Sequence, residues 1–585
     1  MSTDKLLIVK RMAALGDILV LDPLIRQLSK TYNKIWFYTC PRFVEVLENH
    51  PNIEKIITVI PDIPHELINT DRYGLPLKID DREGYPKVLI DSYPIQEANM
   101  LHAGLPLDDT KYNIYFSDDE KKYSLPPGTW VVVDVGYMGG RQYYTHELWS
   151  KLFDYLRSIG LKIILIGHIC RYTFNNVDID RIASTTIREM FCIIKSATYF
   201  IGIESGPLHV AKCLGKRGVG LYCAYRMNAK PFSDTRIVPY LCPCSFGVEF
   251  AYSLACKTTE FDVSSIISLF NICMADITII VTGSHGFIGS HLVDRLSEFN
   301  DTKNILLVDD NNTNYFDTSK YNHCSIKDFR HLIKSNTNFL SLKTIYHLGA
   351  CSSTTETNAE YLQDNNTEYS KEIVIWNNSK ALFVYASSAS VYGTGKNGFN
   401  ELTILESLNL YAKSKQTFDD WILTQKYTNW IGLRYFNVYG PRENHKNNMR
   451  SMIYKVYDQM KDESVQLFKS NDSNYKDGEQ LRDFIYVKDT VDITLHLSGQ
   501  KDGIYNVGTG NTSTWLSMIE YIKEYTKSDI SINFIDIPDS LRDKYQNYTC
   551  ADITKLKNTG YDKQFTSLKN GVDDTLEYIT KHGTT

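Results

Sequence analysis

The stretch DITIIVTGSHGFIGSHLVDRL, Asp276 to Leu296, constrains this 585-residue chain more than any other segment. An apolar run ends at Gly283, and Gly286 and Gly289 follow at three-residue spacing before a helical pattern resumes. A strand, a tight turn and a helix lying close together use glycine in this way. The first allows the turn, the second lets the backbone approach a pyrophosphate, and the third lets the helix settle against the strand. The segment therefore opens an α/β domain, yet it lies near the middle of the chain, just after a start-like Met274. What precedes it needs its own account.

A chain this long has room for roughly four lobes of about 150 residues. Its net charge is −6, from 63 basic and 69 acidic side chains, with no run of five or six like charges, which argues against a nucleic-acid partner. Lys5, Lys10 and Arg11 interrupt any signal-peptide core, and no run of about 18 apolar residues could form a transmembrane segment. The expected location is cytoplasmic, or at most at a membrane surface. Twelve cysteines are too sparse for a disulfide scaffold, and Cys242, Cys244 and Cys256 lack the paired spacing of a zinc site. No metal is expected.

The first half begins with the strand LLIVK, a turn holding Gly16 and Asp17, and the helix-like ILVLDPLIRQLSKTY. A second series starts at WVVVDVG and runs through LWSKLFDYLRSIG, KIILIG and ATYFIGIESG. Strands alternating with helices predict parallel sheets, hence a pair of Rossmann-like lobes facing a cleft, residues 1–125 and 126–272, with the boundary near SLPPG. From residue 275 to 585 a third series, DITIIVTG, NILLVDD, KTIYHLGA, ALFVYASS and WIGLRYFN, predicts a nucleotide-binding Rossmann domain with a smaller substrate-binding portion. The segment FDVSSIISLFNIC reads as a helix joining the halves.

In NLYAKSK, Tyr411 and Lys415 are four apart and share a helix face. A neighbouring ammonium lowers a phenol's pKa, so the pair predicts a tyrosine able to exchange a proton near neutrality. Ser387 and Ser388, at the end of the ALFVYASS strand, could hold the reacting oxygen beside it. Asp309 and Asp310 end the second strand, where an acid can bind the adenosine ribose.

With these residues on the page, the second half resembles the extended short-chain dehydrogenase/reductase family, and within it the ADP-glyceromanno-heptose 6-epimerases. The motifs are GACSSTTE (Gly349 to Glu356), DNN (Asp364 to Asn366), RYFNVYGPRENHK (Arg434 to Lys446), RDFIYV (Arg482 to Val487) and PDSLRDKYQNYT (Pro538 to Thr549). The resemblance implies an NADP or NAD cofactor held by Gly283, Gly286, Phe287, Ile288, Gly289, Asp309, Asp310, Leu348, Gly349, Ala350, Cys351, Ser352, Asn365 and Lys415. It implies Tyr411 and Lys446 as two acid/base groups, Lys415 as the tuner of Tyr411, and Ser388 as the group that orients substrate. Asn437, Val438, Asn448, Lys455, Phe468, Arg482 and Tyr545 would touch an ADP-heptose.

Departures stand beside the matches. Asn448 replaces a usual serine, Lys455 a usual histidine, and NDSNYKDGEQ lengthens a loop on the substrate side. No Lys or Arg occurs between Lys303 and Lys320, so electrostatics favours NAD while family precedent favours NADP. Ser388-Ala389-Ser390 lacks the Asp-Glu pair by which related dehydratases expel water.

ALGDILVLDPLIRQLSKTY and IGIESGPLHVAKCLGK resemble the heptosyltransferases, inverting enzymes of the GT-B type. The resemblance implies Asp17 as the general base, although an aspartate there also caps a helix. Glu204, Ser205, Gly206 and His209 would line the donor diphosphate, with Arg141 as a phosphate-binding cation. Glu204 stands where aspartate is usual, and His209 reads equally as a half-buried structural histidine. The two resemblances together imply a bifunctional enzyme whose second half makes the donor that its first half passes to a glycan or lipopolysaccharide-type acceptor. The epimerase family also implies a homo-oligomer. The alternatives are an active nucleotide-sugar epimerase, of the 4-epimerase kind among others, beside a non-catalytic binding or scaffold half.

Overall fold

The computed structural model describes residues 3–12, 15–70, 105, 112–136, 145–168, 170, 172–203, 205–223, 253–256, 263–310, 313, 315–334, 339, 341–460, 464–542 and 545–584. The chain divides into two compact units, Met1–Met274 with His331–Phe339, and Ala275–Arg330 with Leu340–Thr585. No helix among the described residues is long and apolar enough to cross a membrane.

The first unit holds two parallel sheets. One orders its strands Lys55–Ile57, Tyr32–Tyr38, Thr3–Lys10, Glu66–Asn69. The other runs Ser253–Cys256, Arg217–Cys223, Tyr199–Ile203, Trp130–Asp134, Lys162–Ile166, Ile179–Asp180. A single apolar core passes through both, from Leu7, Val9 and Ile18 to Val132, Ile164 and Phe191. The segment read as one helix after the first strand is two, Leu15–Leu19 and Asp22–Leu28. Pro23 explains the break, because it has no N–H to donate to Leu19 and its ring crowds that carbonyl. The unit ends in the helix Val263–Met274.

The second unit is built on a seven-stranded sheet ordered Asn322–Cys324, Ile305–Val308, Ile279–Thr282, Thr344–His347, Leu382–Ser388, Trp430–Tyr435, Gly503–Val507, with every pairing parallel. The order reverses beside Ile279–Thr282, which places the ligand crevice at the carboxyl ends of that strand and Thr344–His347. A second core, containing Ile453, Tyr454, Val465, Met518, Ile522 and Val572, carries the smaller portion. Phe287 belongs to this second core, so the first residue of the glycine-turn helix joins the two portions of the unit.

Candidate functional site

Each glycine of the turn is required by what it faces. Gly283 has φ +67, in the left-handed region, and a Cβ there would lie 2.6 Å from the nitrogen of Gly349. At Gly289 a Cβ would fall 1.9 Å from the carbonyl of Gly283. Helix Phe287–Ser297 begins at Gly286 with no side chain capping it, so its first N–H groups face outward as an anion would need. Ile288 follows Phe287 into the same helix.

Asp309 and Asp310, adjacent in sequence, separate in role. The Asp309 carboxylate accepts the His285 backbone N–H at 2.9 Å and so stays at the turn. Asp310 accepts the N–H of Ile326, at 2.9 Å, where helix Ile326–Lys334 begins. Beside the turn, Thr282, His347 and Ser370 form a buried relay, with Thr282 Oγ1 to His347 Nδ1 at 2.7 Å and His347 Nε2 to Ser370 at 2.9 Å. Gly349 donates to Thr282 Oγ1, and Leu348 donates to the Thr282 carbonyl. Ala350 and Cys351 follow half-buried, and Ser352 is exposed. Asn366, rather than the expected Asn365, clamps this loop. It accepts from Cys351 N at 2.8 Å and donates to Cys351 O and to Ser414 on the Tyr411 helix, while Asn365 stays half-buried beside it. The glycine cradle, an acid at the second strand and the buried, unpartnered Nε2 of His285 fit a nicotinamide dinucleotide.

Strand Leu382–Ser388 and helix Leu410–Thr424 bring the proton-transfer residues together. Asn409 caps the helix by accepting the Ala412 N–H at 2.8 Å. Ser388 hydrogen-bonds the Tyr411 phenol, whereas Ser387 turns inward and donates to the buried Asp419 at 2.9 Å. Asp419 also accepts from Tyr385 and Arg434, so this triad is scaffold beneath the site. Lys415 is buried and donates to the Ala386 carbonyl at 2.8 Å, and burial lowers its pKa from 10.5 to about 8.

One expectation is corrected here. Tyr411 is not lowered by Lys415: burial raises it, and its bond to Ser388 only partly opposes that rise. The cause is desolvation, because removing the phenolate from water outweighs the neighbouring hydroxyl.

Lys446 donates to Glu443 at 3.1 Å and sits 4.8 Å over the Phe287 ring, at the mouth of the glycine helix. Glu443 is fully buried and also accepts from Ser451 N at 2.7 Å, so it anchors Lys446. Lys455 lies within electrostatic reach of both, with its pKa lowered by burial and by Arg450 and Lys446. Asn437 accepts from Thr549 at 3.2 Å, and Val438 follows it in the strand Asn437–Tyr439. Arg482 is buried between Tyr545 and Trp515, 5.3 and 5.7 Å from their ring centres, and donates to the carbonyls of Leu481 and Gln546. Phe468 meets Tyr545 edge to face at 5.9 Å. The Asn448 side chain lies outside the described residues.

In the first unit, the sheet order reverses between Trp130–Asp134 and Tyr199–Ile203. There Asp134, buried and overlooked by sequence reading, accepts the Ser205 hydroxyl at 2.5 Å and the Gly136 N–H at 2.9 Å. Gly136, Gly167 and Gly202 surround it so closely that a Cβ at Gly136 would lie 2.8 Å from its carboxylate. Burial raises Asp134 from 3.8 to about 6. Gly206 opens helix Gly206–Cys213, and Gly16 faces the His209 ring so closely that a Cβ there would come within 2.4 Å. The first turn and the Ser205–His209 loop therefore meet. Asp17 is in helix Leu15–Leu19, but its side chain, like Arg141, Glu204, Cys242, Cys244 and the side chain of Cys256, lies outside the described residues.

The fold and site of the second unit define a dinucleotide-dependent enzyme of the nucleotide-sugar epimerase class. Residues 279–508 match the NAD dependent epimerase/dehydratase family. The chain belongs, through this half, to the family of ADP-L-glycero-D-manno-heptose-6-epimerases. It is 40% identical over 330 residues to the protein of that name from Fusobacterium nucleatum, covering 52% of this chain and 98% of the relative. It is likewise 40% identical over 325 residues to the one from Brachyspira hyodysenteriae, with 52% and 98% covered. A crystal structure of the Helicobacter pylori ADP-L-glycero-D-manno-heptose-6-epimerase is 29% identical, covering 52% of this chain and 96% of that one, with a TM-score of 0.44. Residues 139–239 match glycosyltransferase family 9 (heptosyltransferase).

Proposed function

We propose that the second unit converts ADP-D-glycero-D-manno-heptose to its L-glycero epimer by transient oxidation at C6. The observation that carries this reading is the Ser388–Tyr411 hydrogen bond with buried Lys415 one turn further on, in a half 40% identical to enzymes so named. Oxidised NAD or NADP supplies a hydride acceptor and a positive charge. Tyr411 takes the C6 hydroxyl proton as the hydride leaves, and Ser388 holds the oxygen. The ketone then turns over, so that hydride returns to its opposite face while Lys446, held by Glu443, gives a proton to the oxygen. Arg482 and its aromatic neighbours hold the diphosphate end of the substrate.

The first unit, on the same proposal, transfers heptose from ADP-heptose to a glycan or lipopolysaccharide-type acceptor, with Asp17 as base. One observation favours a second reading, a binding half without transfer: Ser205, the expected phosphate donor, spends its hydroxyl proton on Asp134. A radiolabelled-donor assay with a panel of acceptors separates the two. Transfer that Asp17→Asn abolishes supports the first reading, and binding of ADP-heptose without transfer supports the second.

A further inference from the structure

We propose that His285, the residue before the second glycine of the turn, is a second determinant of cofactor choice beside Asp309. When protonated it admits a 2′-phosphorylated dinucleotide, and when neutral it leaves NAD preferred. The inference rests on the epimerase reading and concerns the adenosine end of its cofactor.

Asp309 alone should repel a 2′-phosphate, and no lysine or arginine between Lys303 and Lys320 offsets it. Lys303 itself donates to the Ser319 carbonyl at 2.8 Å. His285 differs because the same residue touches Asp309 and carries a switchable charge. Its backbone N–H holds the Asp309 carboxylate at 2.9 Å. Its ring is 4% exposed, fixed by Ser284 Oγ against Nδ1 at 3.1 Å and by Phe316 at 4.9 Å between ring centres. Nε2 is buried and has no hydrogen-bond partner among the described residues. The titratable groups that act on the ring are Asp309, at the end of strand Ile305–Val308, and His323, in strand Asn322–Cys324, while His445 acts on Asp309 from the Lys446 segment.

Burial holds His285 below the ordinary imidazole value of 6.5, so the ring is neutral at neutral pH and the Asp309 charge stands uncompensated. A bound 2′-phosphate adds about −1.5 to −2 charge, which favours the imidazolium. Affinity for NADP⁺ then strengthens as pH falls, by about tenfold per pH unit between the pKa of the bound and the free chain, with uptake of a proton. Affinity for NAD⁺ has no such dependence.

The test is titration calorimetry of the full chain with NAD⁺ and NADP⁺ from about pH 5.5 to about pH 8, in buffers of different ionisation enthalpy. The expected result is NADP⁺ binding that tightens on acidification with proton uptake, nearly level NAD⁺ binding, and loss of both the trend and the uptake in His285→Gln. NADP⁺ binding that is level with pH, or a trend that survives unchanged in His285→Gln, overturns the inference while leaving the epimerase reading intact. Failure to bind either dinucleotide overturns that reading, and the inference with it. Should the variant not fold, NMR of the wild-type histidine rings replaces it: one titration midpoint rises with NADP⁺ and not with NAD⁺, and the absence of any such rise overturns the inference.

Discussion

Replacing Lys415 by methionine should stabilise the second unit while removing its activity. Methionine fills a similar volume without a charge, and Lys415 is buried with its pKa brought from 10.5 to about 8 chiefly by desolvation. At about 1.4 kcal/mol per pH unit, that depression means the charge destabilises the fold by about 3 kcal/mol at neutral pH. Losing the hydrogen bond to Ala386 offsets about 1 kcal/mol, which leaves the variant about 2 kcal/mol more stable at pH 7. The sign follows from proton binding. Between about pH 8 and the unfolded pKa of about 10.4 the folded wild type holds fewer protons than the unfolded chain, so wild-type stability rises with pH and the variant's advantage fades across that window. Scanning calorimetry of the full chain reads this, using the transition that NAD⁺ moves upward to mark the second unit. Epimerisation should fall by roughly 10²-fold or more. A variant less stable than wild type at pH 7, with an advantage that does not change up to about pH 10, would refute the burial argument.

Tyr411→Phe keeps the ring and removes the proton carrier, so turnover should fall by roughly 10²- to 10⁴-fold while the melting transition stays within a few degrees. Gly289→Ala places a Cβ 1.9 Å from the Gly283 carbonyl, so NAD⁺ binding measured by fluorescence should be lost even in variant that remains folded. Asn366→Ala releases the Cys351 loop from the Tyr411 helix and should cost about 2 to 3 kcal/mol in denaturant unfolding. Asp134→Asn should stabilise the first unit by about 2 kcal/mol at pH 7 and hardly at all at pH 4. The folded-state pKa of Asp134 is raised to about 6, so ionisation weakens the wild type as pH rises through that value.

The parallel strands were legible because each is a short apolar run bounded by glycine or by a helical pattern, as in Ile279–Thr282 and Trp130–Asp134. The Tyr411–Lys415 spacing likewise announced one helix face. What escaped was any distinction between neighbours of the same type. Ser387 and Ser388, Asp309 and Asp310, and Asn365 and Asn366 each divide into one residue at the site and one serving the scaffold, and strand or helix geometry makes that division. The pKa of Tyr411 was misjudged because spacing reveals a nearby ammonium and not the depth of burial. Asp134 escaped because an acid inside WVVVDVG carries no motif; its meaning comes from three glycines on separate strands closing around it. Glu443 lay three residues before Lys446 in RENHK, a spacing that signals an ion pair on a helical turn.

The central claim is tested most directly by giving the purified chain ADP-D-glycero-D-manno-heptose, and separately UDP-glucose, and following the sugar protons by NMR. The account predicts inversion at C6 of the heptose, abolished by Tyr411→Phe, with UDP-glucose unchanged. Epimerisation of UDP-glucose at C4 with the heptose left untouched would contradict it.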